Sequence, residues 1–404
     1  MENNTENNRQ KALKLFFVVA AFSAVGLGLS DAVFSNYFKE AYNVTAFQRG
    51  LIEFPRETPG IICVFVVSAL AFLGDIRISI IAQALSIIGL VVLGFITPPF
   101  AVMLIFLFIN SAGMHIFMPL QDSICMSLQG GKNVGSGLGK LKSFGLIFSV
   151  IASIIVFFGF RSGIFTFTDG IISIFLLAAV AFCITLVLLM RIDKLTRNGQ
   201  TARRHKIQLV FKKKYNLYYI LSVCNGAQKQ IRIVYGPWVL IELLGKRADT
   251  LAILGIAASL ISIFFIRFVG WMLDKCGNKR SIFIQAVSFI TVYMAYALLS
   301  YGFYSGSLAK AGFPLAAAFV VFVLDRMTQN FTMVNAVYLR SIAEKPADIT
   351  PSLTVGLGLD HIVAIICAFI GGIVWSRFGP HYVFIFTAAL SIVNIVISYK
   401  IKEA

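Results

Sequence analysis

Hydrophobic positions in this chain do not alternate with polar ones. They run together for about twenty residues or more at a time, and the breaks between runs carry Gly, Pro or charge, as at Pro98, Pro99, Gly379 and Pro380. A run apolar on every face of a helix is a buried or membrane-crossing helix, and about 20 such residues cross a hydrocarbon core about 30 Å thick. Twelve runs are predicted, near residues 13–38, 50–73, 77–97, 100–127, 143–160, 164–190, 216–244, 250–273, 281–303, 313–338, 351–376 and 380–400. The polar head Met1 to Lys14 is followed by no small-residue cleavage site, so the first run is read as a retained span. The expected fold class is an all-α polytopic membrane protein with 12 transmembrane helices.

Composition agrees with this pattern. Of 404 residues, 58% are hydrophobic and 13% charged, against roughly 45–50% and about 25% in soluble domains. That balance excludes a soluble enzyme, a secreted domain and a disordered regulator. The formal charge of +17 would suggest a nucleic-acid partner in a soluble chain, but here the cations lie between apolar runs, and no nucleic acid is expected. Assigned to alternate sides of the twelve spans, Lys and Arg number 23 on the side of both termini and 7 on the other. The asymmetry places both termini in the cytoplasm of a multi-pass protein of the cell membrane. The largest basic loop, residues 191–215, separates an N-terminal six-helix bundle (1–190) from a C-terminal one (216–404). Its segment Ile207 to Tyr215 is able to lie on an anionic leaflet. The six cysteines show no CxxC spacing and are read as small buried hydrophobes rather than disulfide or metal ligands.

The two halves carry related loops after their second spans. The later one holds Gly270, Asp274, Gly277, Lys279 and Arg280 in a G-x-x-x-D-x-x-G-x-K-R pattern; the earlier one, Gly74, Asp75 and Arg77, is a shortened copy. This pattern, on a twelve-span chain with a basic central loop, resembles the loop signature of the major facilitator superfamily in its bacterial-type members. The resemblance implies two six-helix pseudo-repeats, a solute site between them near mid-membrane, and transport by rocking of the halves. It also implies that spans one, four, seven and ten line the cavity, which would bring in Asp31 and His115. Asp75, Gly270, Asp274, Gly277 and Arg280 are expected to gate, with Asp274 making charge-assisted contacts to a neighbouring helix end. The chain departs from the family's pattern in three places: there is no basic tail after Asp75, no arginine in the fourth span, and no Gly-Pro pair in the fifth.

An ionisable side chain near the bilayer centre costs at least about 2.5–3.5 kcal/mol and is a functional candidate for that reason. Lys229 and Asp325 lie about 18 Å into their spans at 1.5 Å per residue, and Asp360 and His361 about 14–15 Å. Asn225, Lys229, Arg232 and Gly236 form one helical stripe with Gln228 beside it; Asp325, Gln329 and Thr332 form another. Lys229, Arg232, Gln228, Asn225, His115, Gln329 and Arg56 are the candidate solute-binding residues, and Asp31, Asp325, Asp360 and His361 the candidate proton carriers. Asp325 or Asp31, or an anionic solute, is expected to compensate Lys229 and Arg232. Arg56 is within helical reach of Glu53 and can pair with it instead.

These residues point to a secondary active transporter of a small polar, anionic or zwitterionic solute, coupled to protons, acting as a monomer in the bilayer without cofactor or metal. An efflux pump for amphipathic drugs and a non-transporting receptor or scaffold are the alternatives. No HExxH, GxSxG or GxxxxGK[ST] pattern indicates an enzyme.

Overall fold

The computed structural model describes residues 2–129, 134–196 and 212–401. Among the described residues every regular element is a helix: α1 (Glu2–Asp31), α2 (Phe34–Tyr42), α3 (Ala46–Ala69), α4 (Asp75–Phe95), α5 (Phe100–Gln129), α6 (Val134–Arg161), α7 (Ser173–Thr196), α8 (Asn216–Trp238), α9 (Ala248–Ser305), α10 (Gly312–Thr328), α11 (Thr332–Ile342), α12 (Pro346–Phe378) and α13 (Pro380–Lys400). Nine stretches of these helices are long and apolar enough to cross a membrane. α3 and α8 are not among them, because Arg49, Glu53, Arg56 and Glu57 on the first and Lys229 and Arg232 on the second break the apolar run.

Local chemistry sets several boundaries. α3 starts at Ala46, earlier than the apolar run predicts, because Thr45 and Gln48 form a capping box: the Gln48 N–H donates to Thr45 Oγ1 (3.3 Å) and the Thr45 N–H to Gln48 Oε1 (2.9 Å). α9 spans 58 residues, about 87 Å at 1.5 Å per residue, and breaks at Gly277, whose φ of 71° is a left-handed value that glycine adopts without strain. A 3-10 turn at Gln329–Phe331 separates α10 from α11. It interrupts the predicted stripe, leaving Asp325 buried and Gln329 exposed.

The chain forms two compact units, residues 1–42 with 58–207 and residues 43–57 with 208–404. In the first, α4 packs on α5 and α7, and α1 on α6 and α7. Its apolar core includes Phe16, Ile78, Ala82, Ile124 and Leu189, and an aromatic cluster of Phe34, Tyr37, Phe167 and Phe175 closes one end. In the second, α8 packs on α12 and α13, and α9 on α10 and α13. Residues 43–57 group with this unit, whereas the sequence reading kept all of 1–190 together. The physical reason is a close approach: a Cβ on Gly50 would sit 2.3 Å from the Ala368 carbonyl oxygen, and one on Gly372 2.9 Å from that of Ala46. Missing side chains let the start of α3 lie against α12. Of the cysteines, Cys63, Cys125 and Cys224 are buried as expected, while Cys183 is exposed.

Candidate solute and coupling site

Within the second unit, three helices carry ionisable side chains to one another. From α3 come Arg49, Glu53, Arg56 and Glu57, spaced so that Arg49 and Glu53 are one turn apart. Glu53 is fully buried. Its Oε1 accepts from Arg49 (2.5 Å) and Arg56 (2.8 Å), and its Oε2 from the Gln230 amide of α8 (2.8 Å).

The second part of the network centres on Lys229. Its ammonium donates to Asp360 Oδ2 of α12 and lies 3.7 Å from Glu57 Oε2. Asn225, one turn earlier on α8, donates to the other Asp360 oxygen (3.1 Å). His361 Nδ1 lies 2.7 Å from Glu57 Oε2, so a carboxylate acceptor fixes the proton on that nitrogen. α8 and α12 meet here because Gly226 carries no Cβ, which would stand 2.6 Å from the Asp360 carbonyl oxygen. The carboxylates Glu53, Glu57 and Asp360 thus face the cations Arg49, Arg56 and Lys229, and a neutral His361 leaves that set formally balanced.

Arg232 has a different environment. It is 3% exposed, yet its contact is a 3.5 Å bond to Thr328 Oγ1. Thr328 in turn donates to the Asp325 carbonyl (2.6 Å). Asp325 is buried against Gly236, where a Cβ would be 3.1 Å from Oδ2 and 3.2 Å from the Tyr296 hydroxyl. Asp325 Oδ1 has no hydrogen-bond partner among the described residues, and the Tyr296 hydroxyl faces the same carboxyl. Buried polar atoms left unpaired cost about 1–3 kcal/mol each, so this cluster holds capacity for a guest.

The predicted residues therefore separate. Asp360 and Glu57, not Asp325 or Asp31, compensate Lys229, and Asp325 makes no ion pair with Arg232. Asn225 joins the network, whereas Gln228 turns to α13 and donates to Ser391 (2.8 Å). Asp31 is exposed at the end of α1 rather than buried at mid-span. His115 in the first unit has Nδ1 2.9 Å from the Ser111 carbonyl oxygen of its own helix. Arg56 pairs with Glu53 as helical spacing allows. Sequence reasoning missed Arg49 and Gln230 and undervalued Glu53 and Glu57. Their signal was the i, i+4 and i, i+7 placement of Arg49, Glu53 and Arg56 on an otherwise apolar helix.

The loops expected to gate carry contacts of their own. Asp274 makes no hydrogen bond or ion pair among the described residues; the cross-helix contact of that loop is Asn278 donating to Ser341 (3.0 Å). Asp75 of the shortened copy is the engaged one, accepting from Ser123 (2.5 Å), and Arg77 pairs with Asp193 at 3.2 Å. A further ionic clamp joins Lys212 to Asp348 (2.6 Å) and Glu344 (2.8 Å), with Tyr215 donating to Asp348 (2.9 Å). Hydrogen bonds to Asp348 and Glu344 raise the Lys212 ammonium above its ordinary value, and Lys212 holds both carboxyls below theirs. The rest of the basic segment, residues 197–211, lies outside the described residues.

The family profile of the Major Facilitator Superfamily matches residues 16–350. No curated protein matches in sequence. Among solved structures the fold is similar to the nucleoside transporter NupG (TM-score 0.73, 14% identity, 97% of this chain and 100% of that one). It is also similar to a POT family transporter in complex with 5-aminolevulinic acid (0.72, 13%, 96% and 95%). A D-xylose-proton symporter is a third (0.67, 15%, 96% of each). At these identities the likeness is one of fold.

Proposed function

Since the chain belongs to the major facilitator superfamily, we propose that it is a proton-coupled secondary transporter of a small polar solute carrying an anionic group. The observation that carries this reading is the contrast between two cations three residues apart on α8. Lys229 is neutralised by Asp360 and Glu57, while Arg232, equally deep, keeps one long hydrogen bond. A buried guanidinium with spare donors is a receptor for a carboxylate or phosphate, and Asp325 and Tyr296 nearby suit the ammonium or hydroxyl end of the same solute. The balanced network supplies the coupling. A proton arriving at His361, Glu57 or Asp360 leaves an excess positive charge that a bound anion offsets, so solute and proton stabilise each other's occupancy.

The architecture we adopt is twelve spans in two six-helix repeats joined by the 191–215 loop, in the cell membrane, with the termini cytoplasmic. The nine apolar stretches become twelve when α9 is counted on both sides of Gly277 and the polar helices α3 and α8 are admitted. Transport then proceeds by alternating access, with the Asp75 and Asp274 loops as gates.

Purified protein screened against metabolites by thermal shift identifies the solute, because a ligand stabilises the state that binds it. Flux of that solute into proteoliposomes should rise with an imposed pH gradient and fall when a protonophore collapses it. Flux indifferent to the gradient would overturn proton coupling. Tight binding with no flux would point instead to a receptor, and transport of lipophilic cations alone to an efflux pump.

A further inference from the structure

Apart from the Lys229 network, and with Thr328, the partner of Arg232, in its wall, the second unit carries a groove of about 380 Å³. One wall is the part of α9 after Gly277, through Phe283, Ile284, Val287, Ser288, Thr291 and Val292. Across it stand Leu324 and Met327 of α10. The α9 residues recur at i, i+1, i+4, i+5, i+8 and i+9, a single stripe along the helix, and Phe283, Ile284, Val287 and Leu324 are exposed in it. From Phe283 to Val292 it measures about 14 Å at 1.5 Å per residue, close to the depth of one leaflet of a core about 30 Å thick.

The end of the stripe is charged. Lys279 and Arg280 each precede a groove residue by four positions, Phe283 and Ile284, so both stand one turn beyond it on the same face. Neither makes a hydrogen bond or ion pair among the described residues. The Tyr399 ring lies 6.2 Å from the Phe283 ring and brings its neighbour Lys400 to the same end. Across the Gly277 break, Lys275 sits 5.2 Å over the ring of Trp271, itself 52% exposed. Exposed tryptophan and lysine at one level mark a headgroup depth. Asp274, the acidic side chain of this loop, pairs with none of these cations.

We propose that this groove is a binding site for an anionic phospholipid of the leaflet on the side of the basic loops. Its phosphate is held by Lys279 and Arg280, and one acyl chain lies along the α9 stripe. The charge complementarity selects an acidic headgroup over a zwitterionic one, and the groove's length selects a lipid over a soluble phosphate. The proposal is independent of which solute the protein moves.

The test is native mass spectrometry of the full-length protein released from nanodiscs of phosphatidylcholine with or without phosphatidylglycerol, paired with a titration of each lipid by thermal shift. Wild type should retain one phosphatidylglycerol in preference to phosphatidylcholine. The double variant Lys279→Gln, Arg280→Gln, on the surface, should bind it roughly thirtyfold more weakly, which is about 2 kcal/mol at 1.4 kcal/mol per decade. Ser288→Trp, filling the groove with the cations intact, should also lose the retained lipid. Equal retention of both lipids, unchanged affinity in the double variant, or competition by soluble glycerophosphoglycerol as strong as by intact lipid would each overturn the proposal.

Discussion

Lys229 and Arg232 present the same charge from the same helix, yet removing them should have opposite consequences. Truncating Lys229 leaves Asp360 and Glu57 in a low-dielectric site without their cation. Breaking a buried pair in this way costs about 3–5 kcal/mol, whereas replacing both partners by apolar groups of similar size is often close to neutral. Lys229→Ala should therefore unfold markedly earlier in detergent, and Lys229→Met with Asp360→Leu should regain most of the loss. Arg232 makes a single 3.5 Å bond, so Arg232→Gln should leave the melting transition nearly unchanged and weaken solute binding by about 2–5 kcal/mol, as when one partner of a buried charge pair is removed. The pair of measurements discriminates: a destabilised Arg232→Gln with normal solute affinity would make Arg232 structural and remove the anionic-solute reading. The sequence pointed to both cations by depth alone. It did not assign their partners, because Glu57 and Asp360 are separated by some three hundred residues of chain and one helix period says nothing about which faces meet.

At the scale of elements, helix packing in this protein is governed by where side chains are missing. Apolar runs were readable because a lipid-exposed helix is hydrophobic around its whole circumference. Their ends were less so, since a capping box such as Thr45 with Gln48 extends α3 through polar sequence that hydropathy excludes. The break at Gly277 falls in the gap between the predicted runs 250–273 and 281–303, whereas the 3-10 turn at Gln329–Phe331, inside the run 313–338, was invisible to an apolar count because backbone geometry, not hydrophobicity, changes there. The association of residues 43–57 with α12 rests on Gly50, whose added Cβ would meet the Ala368 carbonyl oxygen at 2.3 Å. A backbone atom cannot swing aside as a flexible side chain does, so Gly50→Ala must push the helices apart. We expect a loss of about 1–3 kcal/mol, the usual cost of overpacking, and reduced protection of α3 amides in hydrogen exchange. Gly255→Ala in α9, where nothing lies within 4 Å, is the control and should be neutral or slightly stabilising because alanine is the better helix former. Equal effects at both positions would mean that helix propensity, not the close approach to α12, is being measured.

For the whole molecule, the family and the all-helical membrane fold were legible from the run lengths and the G-x-x-x-D-x-x-G-x-K-R loop. The composition of the two units was not, since residues 43–57 change partners without any change in hydropathy. Orientation is the property that the charge distribution argues most directly. Translocating cationic loops is disfavoured, and 23 Lys and Arg on one side against 7 on the other is the argument for our proposal that the termini and the 191–215 loop are cytoplasmic, given an even span count. The structure lowers the smaller figure further, because Arg49, assigned to an outer loop, is buried in its pair with Glu53. An odd span count would scatter the same cations across both sides and leave no asymmetry to explain. In a cysteine-free background, which must also remove the exposed Cys183, Ser307→Cys should react with an impermeant maleimide added to intact cells. Gln200→Cys should react only after permeabilisation. Labelling of Gln200→Cys from outside would reverse the orientation. Labelling of both from outside would place the polar helix α8, which lies between the two positions in the chain, beside the membrane instead of across it, and with that the buried network of Glu53, Glu57, Lys229 and Asp360 would lose its place in a transport pathway.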